Sequence, residues 1–315
     1  MIIKEYIQKI YAEDGLSKNT INSYENDIRQ FSKYLKNKNI IAATNDDIRN
    51  YITYLYNNKI RNSSLSRKIS SLRGFYNFLI NDNKININPS IDLDSPKKSK
   101  ILPKFLSIEQ VTNLLKKIDD DQSEYGLMLS TIIEILYGSG LRVSELISLK
   151  ISTIEWDENN KIRNYIIING KGNKERIVPL SLSSISKLER YIFLREQMNI
   201  SNSIWLFPGN IRYSNNNKII KKRKYDTKNN NHITRQKINY MLRNLAISAE
   251  INPDLVHPHA LRHSFATHLL NNGINIIYLQ ELLGHASIST TEIYTYITQN
   301  KLVDLLNKHH PLNKE

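Results

Sequence analysis

Along most of this 315-residue chain, apolar residues recur at steps of three and four, the spacing of helices with one buried face. Residues 1 to about 85 carry three clear stripes. Ile21, Tyr24, Ile28, Phe31 and Leu35 follow a capping segment at Leu16–Thr20. Ile48, Ile52 and Leu55 follow Asn45-Asp46-Asp47, and Leu65, Ile69, Leu72, Tyr76 and Leu79 follow Ser63-Ser64. From Asn86 to Lys104 the periodicity stops; three prolines and polar filler predict an exposed linker. Ser107 then offers an N-cap with Glu109 in the first turn. Residues 127–137 are apolar nearly all round, which predicts a buried helix, and Gly138-Ser139-Gly140 ends it. The one clear strand signal is Tyr165–Ile168, which runs into Asn169-Gly170-Lys171-Gly172-Asn173-Lys174 and returns over Glu175–Val178 as a hairpin with a basic tip. Helical spacing resumes at 183–198, at Thr234–Ala249, around Leu261, Phe265 and Leu269 as an amphipathic helix, and at Leu302–Leu306. The expected fold is mainly α with a small β-sheet (α+β), without internal repeats. Its organisation reads as a helical domain at 1–86, a linker at 87–106, a larger domain at 107–309 and a tail at 310–315.

Composition narrows the partners. A net charge of +14 argues for a polyanion, and nucleic acid fits better than a membrane surface because no strongly basic amphipathic helix stands apart. The apolar runs are too short to cross a bilayer, and Met-Ile-Ile-Lys-Glu has no signal-peptide pattern. Cysteine is absent, which excludes disulfides, thiolate catalysis and cysteine-bound zinc, and points to a reducing cytoplasm. Arg61, Arg67, Lys68 and Arg73 suit phosphate contacts that set position without reading sequence, although each alone reads as a solvated helix face. Residues 209–231 hold seven Lys and Arg against one Asp among runs of asparagine, a low-complexity basic insertion expected to form a mobile loop.

Candidate chemistry gathers in His257-Pro258-His259-Ala-Leu-Arg262-His263-Ser-Phe-Ala-Thr-His268. Pro258 suits a first helical turn, so His259 and Arg262 fall one turn apart on one face. An imidazole beside a guanidinium is awkward in a core and natural for gripping a phosphate. Arg142, placed just after the glycine turn, reads equally as a capping or ion-pair residue. Lys171 and Lys174 read equally as charges that keep a sheet edge soluble. A zinc site from His259 and His263, with His257 and His268 nearby, is disfavoured by the arginine between them and by the lack of a glutamate base. The acidic residues are scattered, unlike the clustered carboxylates of two-metal phosphodiester cleavage.

Taken whole, the string His-x-x-Arg-His-Ser-Phe-Ala-Thr-His-Leu at 259–269, then Leu283-Gly284-His285 and Thr290-Thr291-x-x-Tyr294, resembles the signature of the tyrosine recombinases. Ser139-Gly140-Leu141-Arg142-Val-Ser-Glu145-Leu resembles its other half, with Ser139 where threonine is common. The likeness is to the Xer-type branch and runs over nearly the whole chain apart from 209–231. It implies an N-terminal core-binding domain followed by a catalytic domain. It further implies DNA cleavage by transesterification through a 3′-phosphotyrosyl link, with no metal, ATP or other cofactor. By this resemblance Tyr294 is the nucleophile and Arg142 and Arg262 clamp the phosphoryl oxygens. His285 donates a further bond, Lys171 (or Lys174) protonates the leaving oxygen, and His259 manages the proton of Tyr294. The implied partners are a double-stranded DNA recombination site, a tetramer on two duplexes, a related recombinase in a heterotetramer, and a division-linked DNA translocase. The apolar residues at 302–306 would dock into a neighbouring protomer. The implied task is resolution of chromosome dimers. A phage or transposon integrase would share the six residues but commonly adds an arm-binding domain. A non-catalytic DNA-binding protein would have no use for Tyr294.

Overall fold

The computed structural model describes residues 2–12, 18–93, 105–169, 175–197, 203–209, 231–284 and 297–311. The chain divides into two compact units, residues 1–102 and 103–315. Its described residues are mostly helical with one two-stranded sheet, as the spacing of apolar residues predicts.

The first unit holds α1 (Ile2–Ala12), α2 (Lys18–Tyr34), α3 (Asn45–Asn57) and α4 (Asn62–Asn81). The stripes of the last three face one core, where Ile28, Phe31, Ile48, Ile69, Leu72, Phe75, Tyr76 and Leu79 are fully buried. Tyr6 and Ile10 of α1, a helix not separated out in the sequence reading, close that core. Thr44 caps α3: its hydroxyl accepts the Asp47 N–H at 3.3 Å and Asp47 accepts the Thr44 N–H at 2.7 Å. Helix α4 starts at Asn62, a residue before the serines, and Arg61 at its N-cap makes no side-chain capping bond.

Two expectations change here. Lys68 is buried beside Asp27, with Nζ 3.0 Å from Oδ1, and Arg67 pairs with the same carboxylate. Arg73 donates to the Leu93 carbonyl at 2.8 Å. Three of the four arginines and lysines expected to meet phosphate are thus engaged within the unit. The start of the expected linker is also folded. Leu93 and Ser90 are buried, and Asn45 Nδ2 donates to the Pro89 carbonyl at 2.9 Å. An apolar residue and side-chain bonds to carbonyls hold this segment down despite its prolines.

The second unit is built around α6 (Glu124–Gly138), whose residues 128–138 are all buried. Against it pack α5 (Ile108–Asp119), α8 (Leu182–Gln197) and α10 (Pro258–Asn271). Ser107 caps α5 with Gln110 returning the bond, and Leu106 before it is fully buried, its N–H donating to Ser264 Oγ at 2.8 Å. The linker reading therefore overruns the domain edge at this end too. A short α7 (Val143–Ile147) precedes the antiparallel pair β1 (Tyr165–Asn169) and β2 (Glu175–Pro179), in register Asn169 to Glu175 and Tyr165 to Pro179. Then come α9 (Arg235–Ser248), capped by Thr234, α11 (Ile276–Leu283) and α12 (Ile297–His309). Residues 210–230 lie outside the described residues, yet their flanks meet: the Gly209 N–H donates to the Asn231 carbonyl at 2.7 Å and Ile233 N–H to Phe207 O at 2.8 Å.

Helix α12 packs on its own unit. Leu302 and Leu306 belong to the large core, so in the single chain these residues do not wait for a neighbouring protomer. His310, read as the start of a tail, is fully buried; its Nε2–H donates to the Tyr137 carbonyl at 3.2 Å. Burial pushes its pKa down to about 4, which keeps the ring neutral.

Candidate active site

At the end of α6 the chain must reverse within two residues. Gly140 does so at φ +61, where a Cβ would also come within 2.5 Å of the Phe265 ring. The turn delivers Leu141 into the core and Arg142 to the start of α7. There the Arg142 N–H donates to Glu145 Oε2 at 2.8 Å, and its Nη1 donates to Oε1 at 2.9 Å. Glu145 is buried, so both oxygens need partners. Arg176 of β2 supplies another, its Nη2 lying 2.9 Å from Oε2.

Pro258 occupies the first turn of α10 and His257 caps it, Nδ1 accepting the Ala260 N–H at 3.1 Å. The helix is buried on most sides rather than along one stripe. His259 is exposed in the first turn. Arg262, a turn later, is only 9% exposed, and its Nη1 and Nη2 donate to the carbonyls of Gly140 and Leu283 at 2.5 and 2.7 Å. One guanidinium thus ties the turn before Arg142 to the C-terminal end of α11. That end is closed by Gly284 in the left-handed region at φ +63, whose carbonyl lies 3.5 Å from Arg142 Nη2.

Of the six expected site residues, Arg142, His259 and Arg262 are described, and the two arginines converge on the Gly140 turn. Lys171, His285 and Tyr294, with the alternative Lys174, lie outside the described residues. Two guanidinium groups bond one carboxylate and a third, that of Arg262, lies within its electrostatic reach, a surplus of positive charge in a partly dry setting. Burial, then the neighbouring Arg142, pulls the Arg262 pKa down to about 10. Burial also lowers Arg176, against the pull of Glu145. Such a group of cations calls for an anion, and fixed guanidinium forks match a phosphoryl group. Of the four histidines of the zinc alternative, the two nearby ones are engaged: His268 Nδ1 bonds the Tyr137 hydroxyl at 2.8 Å, and His257 caps its helix.

Sequence reasoning named Glu145 only as part of a motif and did not single out Arg176. The spacing of Arg142 and Glu145 was visible. The inward turn of a polar residue at the edge of a hairpin was not.

Comparison with known proteins matches residues 3–83 to the phage integrase N-terminal SAM-like domain and residues 104–301 to the Phage integrase family. The chain is 39% identical over 319 residues to "Tyrosine recombinase XerD" of Rickettsia bellii, covering 99% of each. The chain belongs to the tyrosine recombinases of the phage integrase family. The protein of the same name from Rhizobium meliloti is 38% identical over 320-odd residues, covering 99% of this chain and 96% of that one. These full-length likenesses place the recombinase in the Xer-type branch. Among solved structures, the XerH site-specific recombinase bound to palindromic difH substrate superposes with a TM-score of 0.64 at 21% identity, over 91% of this chain and 79% of that one. The lambda integrase (75–356) dimer bound to a core site gives 0.62 at 17% identity, over 91% and 94%. At such identity these two speak for the fold alone. Among the described residues no helix is long and apolar enough to cross a membrane.

Proposed function

We propose that this recombinase exchanges strands at one defined chromosomal DNA site and thereby resolves chromosome dimers before cell division. Tyr294 attacks the scissile phosphorus, the bond to the 5′-oxygen breaks, and a 3′-phosphotyrosyl ester keeps the bond energy for rejoining. One ester replaces another, so ATP is not needed. Arg142 and Arg262 offset the charge that develops on the phosphoryl oxygens, a role metal ions play in other nucleases. His285 donates to the same oxygens, Lys171 (or Lys174) protonates the leaving 5′-oxygen, and His259 takes part in moving the proton of Tyr294, whose phenol is mostly protonated at neutral pH. The observation that carries this reading is the knot of Arg142, Glu145 and Arg262 around the Gly140 turn. It fixes two guanidinium groups before any substrate arrives, and preorganised charge is what such a transition state requires. The working assembly is a tetramer on two duplexes in the cytoplasm, in which a related recombinase and a division-linked translocase take part. The full-length likeness to proteins named XerD supports the chromosomal task over mobile-element integration.

The test uses a nicked suicide duplex carrying the chromosomal sequence that the protein protects in a footprint. Wild-type protein in excess EDTA forms a covalent adduct on a denaturing gel; Tyr294→Phe binds the duplex and forms none. An adduct with the phenylalanine variant removes Tyr294 as nucleophile. Activity lost to chelator and restored by Mg²⁺ or Zn²⁺ overturns the metal-free scheme.

A further inference from the structure

Arg176 is costly as a purely structural residue. Its side chain is 15% exposed, and among the described residues Nη2 alone has a partner, Glu145. Nε and Nη1 are buried and meet no acceptor among those residues. An unmet buried donor loses its hydrogen bonds to water without replacement, a penalty that an apolar side chain of similar volume would avoid. The other side of the guanidinium lies flat against Gly284: a Cβ there would sit 2.5 Å from Nε, 2.7 Å from Cδ and 2.8 Å from Nη1. Arg176 therefore stands between the carboxylate that holds Arg142 and the backbone residue that precedes His285.

We infer that Arg176 is a positioning residue for strand cleavage: through Glu145 it sets the Arg142 guanidinium, and by its contact with Gly284 it braces the C-terminal end of α11, whose last carbonyls face Arg142 and Arg262. The inference rests on the recombinase reading above. Glu145 has two oxygens and accepts three N–H groups from two arginines. Without Arg176, Glu145 is held only by Arg142 itself, so nothing independent of Arg142 fixes the carboxylate against which its fork is set.

The experiment compares wild type, Arg176→Met, Arg176→Lys, Glu145→Gln and the double variant Arg176→Met/Glu145→Gln on the same suicide duplex. It reads the single-turnover rate of adduct formation, half-site affinity and melting temperature. Arg176→Met is expected to slow adduct formation by on the order of 10²-fold, as loss of an oriented donor does, with half-site affinity unchanged. Arg176→Lys, which keeps the charge and loses the fork, falls between Arg176→Met and wild type. The double variant is no slower than the slower single, because both changes break one linkage. A rate that stays at the wild-type value in Arg176→Met, or falls only in step with melting temperature and affinity, overturns the inference. Multiplying defects in the double variant overturn it as well. Wild type that forms no adduct overturns the recombinase reading together with what rests on it, whereas an adduct from wild type leaves that reading standing whatever the variants do.

Discussion

At the scale of single residues, burial decides what the sequence could announce. Arg142 and Arg262 were legible because each sits in a motif and beside a turn signal. Arg176 was not, because strand alternation says which face a residue takes but not that a cation will fold inward to meet Glu145. Glu134 is a similar case, hidden inside an apolar run. It is 3% exposed, Oε1 accepts from Ser183 at 2.7 Å and Oε2 has no partner among the described residues. Burial, opposed by Ser183 and Lys187, pushes its pKa up to about 6 from an ordinary value near 4.5. The folded protein thus binds this proton more tightly than the unfolded chain. The contribution of this group to stability is fully present below pH 4.5 and is lost as the pH rises through about 6. The loss amounts to roughly 2 kcal/mol at neutral pH. Glu134→Gln should therefore raise denaturant stability at pH 8 by up to about that amount and change little at pH 4.5. Equal effects at both pH values would show that the carboxyl does not titrate in this way.

Secondary-structure elements were the most readable level. The stripes of α2 and α4, the uniform apolarity of α6, the Ser107 cap and the hairpin all have local causes, and local causes survive in a one-dimensional pattern. Pairings between elements do not. Lys68 of α4 looked like one more solvated cation until Asp27 of α2, 41 residues away, was found beside it with Gln30 at 2.5 Å from the same Nζ. The carboxylate of Asp27 is 1% exposed and also meets Arg67, so the two helices are joined by a buried ionic cluster. Removing Asp27 strands the buried Lys68 without its counter-charge. Asp27→Ala should destabilise the full-length protein by about 3–5 kcal/mol in chemical denaturation, while Arg67→Ala, which leaves Lys68 and Asp27 paired, costs far less. Comparable losses from the two substitutions would mean that the cluster is not held by its buried pair. The C-terminal helix shows the same limit: apolar clustering predicts that α12 will be covered but not by which chain, and in the single chain Leu302 and Leu306 pack into the core of their own unit.

For the whole molecule, charge was legible and its distribution was not. The net +14 pointed to a polyanion before any fold was known, yet several basic residues of the first unit are tied up internally. The segment 210–230 holds seven Lys and Arg against one Asp, and its two ends are already hydrogen-bonded to each other through Gly209 and Asn231. Joining those residues by two glycines should leave the melting temperature nearly unchanged, since closing a shorter loop costs less entropy. DNA affinity should fall alike for specific and random duplexes, with a shallower dependence on salt, as fewer counterions are released. A loss confined to the specific site would instead mark the insertion as a reader of bases.

The double anchorage of Arg262 has a consequence for how the protein is made. Its side chain closes a link between carbonyls contributed by residue 140, which is 122 positions earlier, and residue 283, which is 21 positions later. Domains form in the order in which the chain is synthesised, and contacts so distant in sequence are among the last to close. A nascent chain that has emerged as far as residue 250 already has the first unit, Arg142, Glu145 and Arg176, and nothing yet to join them to α10 and α11. Until α10 and α11 have emerged, the Gly140 turn has no Arg262 to hold it, so a stalled or truncated product lacks the link that brings the two arginines together.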